Sequence, residues 1–307
     1  MRLVADIGGT NARLALSENG VVDNATVQRF TNADWPSLDA VLAAFCDAHL
    51  GTPLDEMVIA VAGPVSGGRA TLTNRNWSID TGSLGEHSDC KFVVLLNDLT
   101  ALGHAVPMIG ADQIRQVCGG DAPKMRTGRA LVVGIGTGFN ISQVITTSHG
   151  TVCPPAEAGH VSMPRRISKQ LDFLNCDSDQ FPTVETLFSG RGLTAFCQRH
   201  TGQATLSGQA AIDAYGKLFG DQATNAINNY ASMLGSLLRE LSLFYAPTQG
   251  TYLAGSVARA IARTAPDKLE NTLREQCEFK SPSPPLVYTI NDDGAALLGC
   301  ARYSRCS

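Results

Sequence analysis

The chain has 307 residues, of which 44% are hydrophobic and 17% charged, and its formal net charge is -4. That length exceeds a typical single domain and can bury a sizeable core, and the composition is far from that of a disordered chain. The negative balance gives no general attraction for nucleic acid or an anionic membrane, so small-molecule chemistry is the default expectation.

The opening stretch carries Leu3, Val4 and Ala5, then Asp6, Gly8, Gly9 and Thr10, then Ala12, Leu14 and Leu16 in alternation. This predicts a strand, a tight turn and a second strand. A dinucleotide fold would send a helix out of its glycine turn, and a P-loop would need GxxxxGK followed by Ser or Thr. Neither pattern is present, so the glycines serve a hairpin whose backbone comes close to a ligand, with Asp6 and Thr10 facing it. VVDNATVQRF predicts a third short strand. DWPSLDAVLAAFCDAHLG predicts a helix with Leu38, Val41, Leu42 and Phe45 on one face, Pro36 near its first turn and Gly51 as its stop. EMVIAVAGPV and KFVVLLND predict buried strands, and LTALGHAVPMI a helix directly after the second. Three antiparallel-type strands followed by alternating strand and helix predict a mixed sheet flanked by helices.

The second half restarts this pattern. RALVVGIGTGFNISQVITT predicts strand, glycine turn, strand, with Leu131, Val132 and Val133 before the turn and Ile141, Val144 and Ile145 after it. A long helix, DQATNAINNYASMLGSLLRELSLFYAP, is expected to line up Ile227, Tyr230, Leu234, Leu237, Leu241 and Phe244 on one side. GTYLAGSVARAIART and PLVYTINDDGAALLGCARY each predict a strand followed by a helix. The expected organisation is two related α/β domains with a cleft between them, 1–107 with 290–307 forming the smaller and 108–289 the larger.

The nine cysteines are scattered and never in CxC or CxxC spacing, which suggests neither a disulfide framework nor a zinc site. The opening apolar run is too short for a signal peptide, and no run approaches the roughly 18 residues of a membrane span. A reducing cytoplasm fits these features best.

Several segments carry candidate chemistry. A glycine turn presents backbone N–H groups with no Cβ in the way and can hydrogen-bond phosphate oxygens. Glycine hairpins are common, but two at the starts of two half-chains, with a third turn at Gly255 and Ser256, suggest an ATP clamp. Asp6, ending a buried strand, is then a candidate to hold magnesium through water. In LLNDLTA, Asn97 and Asp98 lie where a strand passes into a helix, which is where ligands collect in open α/β folds. A simple helix cap would use the same residue types. PPAEAGHVSMP adds Glu157 and His160, and VETLFSGRGL adds Glu185 ahead of a glycine turn.

Taken together the chain resembles the proteobacterial-type glucokinases of the sugar kinase, Hsp70 and actin superfamily. The resemblance covers nearly the whole length through DIGGTNARLAL, VAGPV, TNRNW, LLNDLTA, GTGFN, EAGHV, ETLFSGRGL, YLAGSVAR and DDGAALLG, in the family's order. It implies a two-domain actin-like, RNase H-like ATPase fold and phosphorylation of the 6-hydroxyl of glucose, with ATP as co-substrate and Mg2+. Asp6, Ile7, Gly8, Gly9, Thr10 and Asn11 would form the first phosphate hairpin, Gly136, Thr137 and Gly138 the second, and Gly255 the adenosine turn. Asn97, Asp98, Glu157, His160 and Glu185 match the residues that hold glucose, and Asp98 is the candidate general base. The chain departs from the family pattern at Ala158, where a second glycine is common, at AGS in place of AGG, and in a shortened segment after His160. No cysteine-rich loop follows His160, which separates the chain from the related repressor and kinase family with a zinc loop. The resemblance leaves room for a homodimer, with glucose and ATP as partners and neither nucleic acid nor membrane. Alternatives are a kinase for another hexose or amino sugar, an inactive sugar sensor, and an ATPase acting on protein partners.

Overall fold

The computed structural model describes residues 1–49, 54–72, 77–88, 90–120, 127–218, 220–275, 285–292 and 294–304, with the His87 side chain outside that description. Two compact units emerge: Met1–Ile109 with His149–Cys153 and Asp293–Ser307, and Gly110–Ser148 with Pro154–Asp292.

In the first unit, strand Arg2–Ile7 pairs antiparallel with Asn11–Glu18 and parallel with Glu56–Val61, which in turn runs parallel to Val93–Asn97. Every residue of Glu56–Val61 is buried, as a central parallel strand covered on both faces requires. The alternation of the opening strand feeds two cores. Leu3, Ala5 and Ile7 join Leu14, Met57 and Ile59 beneath the helix Leu38–His49, which contributes Leu38, Val41, Leu42 and Phe45. Val4 points the other way, with Val58, Ala60 and Leu96, toward Ala101 and the helix Ala295–Arg302.

That last helix is fastened by Arg2, whose Nη1 donates to the carbonyls of Cys300, Ala301 and Tyr303 at 3.1, 2.7 and 2.9 Å. The rest of the guanidinium donates to Glu56 Oε2 at 2.9 and 2.7 Å. Carbonyls that a helix end leaves without intrahelical partners are thereby satisfied. The helix also crosses Asp98–Ala105 closely, since a Cβ on Gly299 would stand 1.7 Å from the Ala101 carbonyl oxygen.

The expected third strand is divided. Asp23 accepts the Ala25 N–H and caps a short helical turn at Asn24–Thr26, which separates Val21–Val22 from Gln28–Thr31. An Asp-Asn pair offers the backbone a local side-chain bond that competes with sheet pairing. Gly51, the expected helix stop, and residues 73–76 of TNRNW lie outside the described residues.

The second unit repeats the topology. Strand Gly128–Ile135 pairs antiparallel with Phe139–Thr147 and parallel with Thr251–Ala254, which runs parallel to Val287–Ile290. Strand Ile114–Cys118 closes the far edge antiparallel to Val287–Ile290. A 25-residue helix, Asp221–Tyr245, buries Ile227, Tyr230, Leu234 and Leu237 against this sheet's core. Leu241 and Tyr245 are half-buried against the same core, while Phe244 turns to solvent and is 82% exposed.

Candidate active site

Each unit carries one group of the residues singled out above. In the first unit, strand Val93–Asn97 passes straight into the helix Asp98–Ala105. Asn97 is the N-cap, its Oδ1 accepting the Leu99 N–H at 3.0 Å. Its Nδ2 donates to the Gly63 carbonyl at 3.1 Å, which ties the cap to the turn after Glu56–Val61. Asp98 Oδ1 also accepts the Leu99 N–H, at 2.9 Å. The cap is therefore filled by Asn97, and the Asp98 carboxyl stands in the first helical turn. Burial pushes the Asp98 carboxyl up from its ordinary value, against the opposing effect of its hydrogen bonds to Leu99 and Asn97. A carboxylate with raised proton affinity is better matched to accepting a hydroxyl proton near neutral pH.

The first glycine turn follows strand Arg2–Ile7. Gly8 N–H donates to the Asn11 carbonyl at 2.9 Å, and the fully buried Asn32 braces the turn from behind. Asn32 donates from Nδ2 to the Gly8 carbonyl at 2.8 Å and from its backbone N–H to the Thr10 carbonyl at 2.9 Å. Two acceptor oxygens of the turn are thus engaged, which favours an anion at its apex, where Gly9 is half-buried and Thr10 exposed. Asp6 is half-buried in the strand, opposite Arg13 in the antiparallel register. Asp6, Gly8, Gly9, Thr10 and Asn11 therefore lie together around one turn.

In the second unit, the turn Gly136–Gly138 is closed by the Gly136 N–H donating to the Gly138 carbonyl at 3.0 Å. Two helix starts abut it. Gly190, opening Gly190–Thr201, donates its N–H to the Gly136 carbonyl at 2.8 Å. Gly255, the N-cap of Ser256–Thr264, has φ +89°, and a Cβ there would lie 2.3 Å from the Ile135 carbonyl oxygen. Only glycine fits that backbone and that approach. Helix N-termini carry partial positive charge, so their convergence on a glycine turn suits a polyphosphate.

Glu185, in the short helix Val184–Leu187, accepts the Phe139 N–H on Oε2 at 3.0 Å and forms an ion pair with Arg191 through Oε1. Gly138 and Gly159 both lean on it, since Cβ atoms there would lie 2.6 Å from its Oε2 and 3.3 Å from its Cβ. Glu157 and His160 flank the single helical turn Ala158–His160, and both are exposed. The turn Gly136–Gly138, Gly255, Glu157, His160 and Glu185 thus belong to one neighbourhood of the second unit. Sequence reasoning missed Asn32, Asn140 and Arg191, which touch these residues; a polar amide directly after the GTGF turn was the visible signal for Asn140.

Among the described residues no group of three or more His, Cys, Asp or Glu side chains is arranged to hold a metal ion. No described helix is long and apolar enough to cross a membrane.

Paired units with the same mixed sheet and glycine hairpin give the chain the actin-like ATPase fold, shared with solved sugar kinases. A family model described as Glucokinase matches residues 3–306, and the chain belongs to the glucokinase family. The glucokinase of Chelativorans sp. (strain BNC1) is 30% identical over 324 residues, covering 99% of this chain and 91% of the relative. That of Ralstonia nicotianae is 31% identical over 328 residues, covering 98% and 94%. A solved glucokinase from an Antarctic psychrotroph has a TM-score of 0.83 at 23% identity and covers 98% of this chain and 97% of its own. A ROK family glucokinase from Streptomyces griseus, solved with glucose and AMPPNP, has a TM-score of 0.63 at 20% identity, covering 98% and 97%.

Proposed function

We propose that the chain is a glucokinase that transfers the γ-phosphoryl group of ATP to the 6-hydroxyl of glucose. Family membership over nearly the whole chain supports the substrates. The observation that carries the chemistry is the half-buried Asp98 carboxyl at the start of its helix, held by the Leu99 N–H, with its proton affinity raised and its neighbour Asn97 fixed as the cap.

In this reading Asp98 accepts the proton of the sugar 6-hydroxyl as the new O–P bond forms and the bond to the ADP oxygen breaks. The products are glucose 6-phosphate, ADP and the proton left on Asp98. Phosphoryl transfer needs little covalent help and depends on positioning and charge neutralisation. The turn at Gly8, Gly9 and Thr10, the turn at Gly136, Thr137 and Gly138, and Gly255 would hold the nucleotide. Asn97, Glu157, His160 and Glu185 would hold the sugar, since a ring of hydroxyls calls for carboxylates, an amide and an imidazole.

Mg2+ brought with the nucleotide would neutralise phosphate charge. A single half-buried carboxylate at Asp6 fits a cation that keeps several waters and takes its remaining oxygens from phosphates. In this reading the enzyme works in a reducing cytoplasm, where its product enters glycolysis. A homodimer belongs to the same reading and is checked by light scattering. A coupled assay for ADP with a panel of hexoses and amino sugars tests the proposal. Glucose-dependent ADP release that needs Mg2+ is expected; ATP hydrolysis indifferent to every sugar would overturn it.

A further inference from the structure

We propose that Asn140 is a positioning residue that locks the glucose-binding Glu157 loop to the strand leaving the Gly136–Gly138 turn, an inference that rests on the glucokinase reading. Asn140 is the second residue of strand Phe139–Thr147, directly after that turn. Its side chain makes four hydrogen bonds. Oδ1 accepts the Ile141 N–H at 2.8 Å and the Ala158 N–H at 3.0 Å. Nδ2 donates to the Ala156 carbonyl at 2.7 Å and to Glu157 Oε2 at 3.4 Å. Two backbone donors on one end and a carbonyl on the other fix the orientation of the amide.

The bonds bracket Glu157 on three sides, at the carbonyl before it, at its own carboxylate and at the N–H after it. Glu157 is exposed, so no packing holds its carboxylate in place. His160 depends on the same loop, because its N–H donates to the Glu157 carbonyl at 3.3 Å. The Ala158 N–H that Asn140 engages opens the helical turn Ala158–His160 that ends on His160. The amide thus joins the sugar-binding loop to the backbone that follows the nucleotide turn. A group acting this way changes how well the sugar is held without touching it.

Two variants test this, each checked for folding by circular dichroism. Asn140→Ala removes the lock, and the KM for glucose should rise at least tenfold while that for ATP stays within about twofold. Asn140→Asp is nearly isosteric and keeps the Oδ1 contacts to Ile141 and Ala158. Its second oxygen, however, faces two acceptors, the Ala156 carbonyl and Glu157 Oε2. A proton must sit between the two carboxyls for the contact to survive. The glucose KM of Asn140→Asp should therefore approach that of the parent near pH 5.5 and climb steeply toward pH 8. Asn140→Ala should show only the pH dependence of the parent.

A parent enzyme inactive with glucose would remove the reading on which the inference rests. An active parent with glucose KM values within twofold in both variants would sink the inference alone. So would equal rises in the KM values for glucose and ATP, or an Asn140→Asp profile parallel to the parent's.

Discussion

Glu185 Oε2 accepts the Phe139 N–H at 3.0 Å, so a carboxylate proposed to hold the sugar also fixes the residue that closes the proposed phosphate turn. Glu185→Ala should leave that N–H without its acceptor and loosen both functions, raising the KM for glucose and for ATP. Arg191→Ala removes only the ion-pair partner on the other oxygen, so its effect should fall on glucose. Steady-state kinetics with each substrate varied separates the two patterns, and an effect of Glu185→Ala confined to glucose would show that the turn holds its shape unaided.

Asp98→Asn should separate activity from stability. General-base contributions are about a hundredfold to ten-thousandfold, and kcat should fall through that range. Because burial raises the carboxyl pKa, the folded state bears a cost that appears as pH climbs above the ordinary carboxylate value of 3.8. Asn carries no charge, so the variant should melt higher than the parent at pH 7.5, with the difference vanishing below about pH 4. Melting scans at both pH values and a glucose assay decide the matter; near-parental turnover would refute the base assignment.

Gly255→Ala should be severe, since its φ is +89° and a Cβ would meet the Ile135 backbone oxygen at 2.3 Å. A loss of more than about 2 kcal/mol in urea unfolding is expected. Gly9→Val tests the first turn more gently, at an apex where a branched side chain would obstruct a phosphate. Direct titration of that variant should show ATP affinity falling far more than glucose affinity, and the reverse would reassign the turn.

His104 is buried against Tyr303, ring centroids 5.2 Å apart, and burial holds its pKa down at about 4. A histidine with a depressed folded pKa contributes stability that is present above its ordinary value of 6.5 and lost as pH falls through about 4. Between those limits this group alone should lower unfolding stability by about 1.4 kcal/mol per pH unit. Comparing the parent with His104→Phe by urea unfolding from pH 7 to pH 4.5 isolates that slope, and identical pH dependence in both would show that the imidazole charges in place.

The sheets were legible because alternation and apolar runs state their own periodicity. Leu3, Ala5 and Ile7 against Val4 already divide the two faces, and the strands around both glycine turns follow the same rule. Asn97 and Asp98 were legible as a pair at a strand end, but not which of them caps the helix. That depends on Gly63, a contact 34 residues away. Asn32 and Asn140 were hidden for the same reason, because each acts on a loop distant in sequence through an amide that looks ordinary in isolation. Phe244 was misassigned because, at the edge of the helical face, periodicity alone does not say which of Phe244 and Tyr245 turns inward, and it is Tyr245 that meets the core.

Arg2 reaches carbonyl oxygens of Cys300, Ala301 and Tyr303, up to 301 positions further along the chain. During synthesis Arg2 therefore emerges well before these carbonyls exist, although its strand meets its sheet partners Asn11–Glu18 and Glu56–Val61 much sooner. The second unit has all its residues once Asp292 has emerged, before the helix Ala295–Arg302 exists. At roughly 5–20 residues per second, the face that Val4 shares with Val58 and Ala60 waits about 12 to 48 seconds for its covering helix once Glu56–Val61 has been made. Throughout that interval a nascent chain has an apolar sheet face open to chaperones, and the second unit is positioned to fold first.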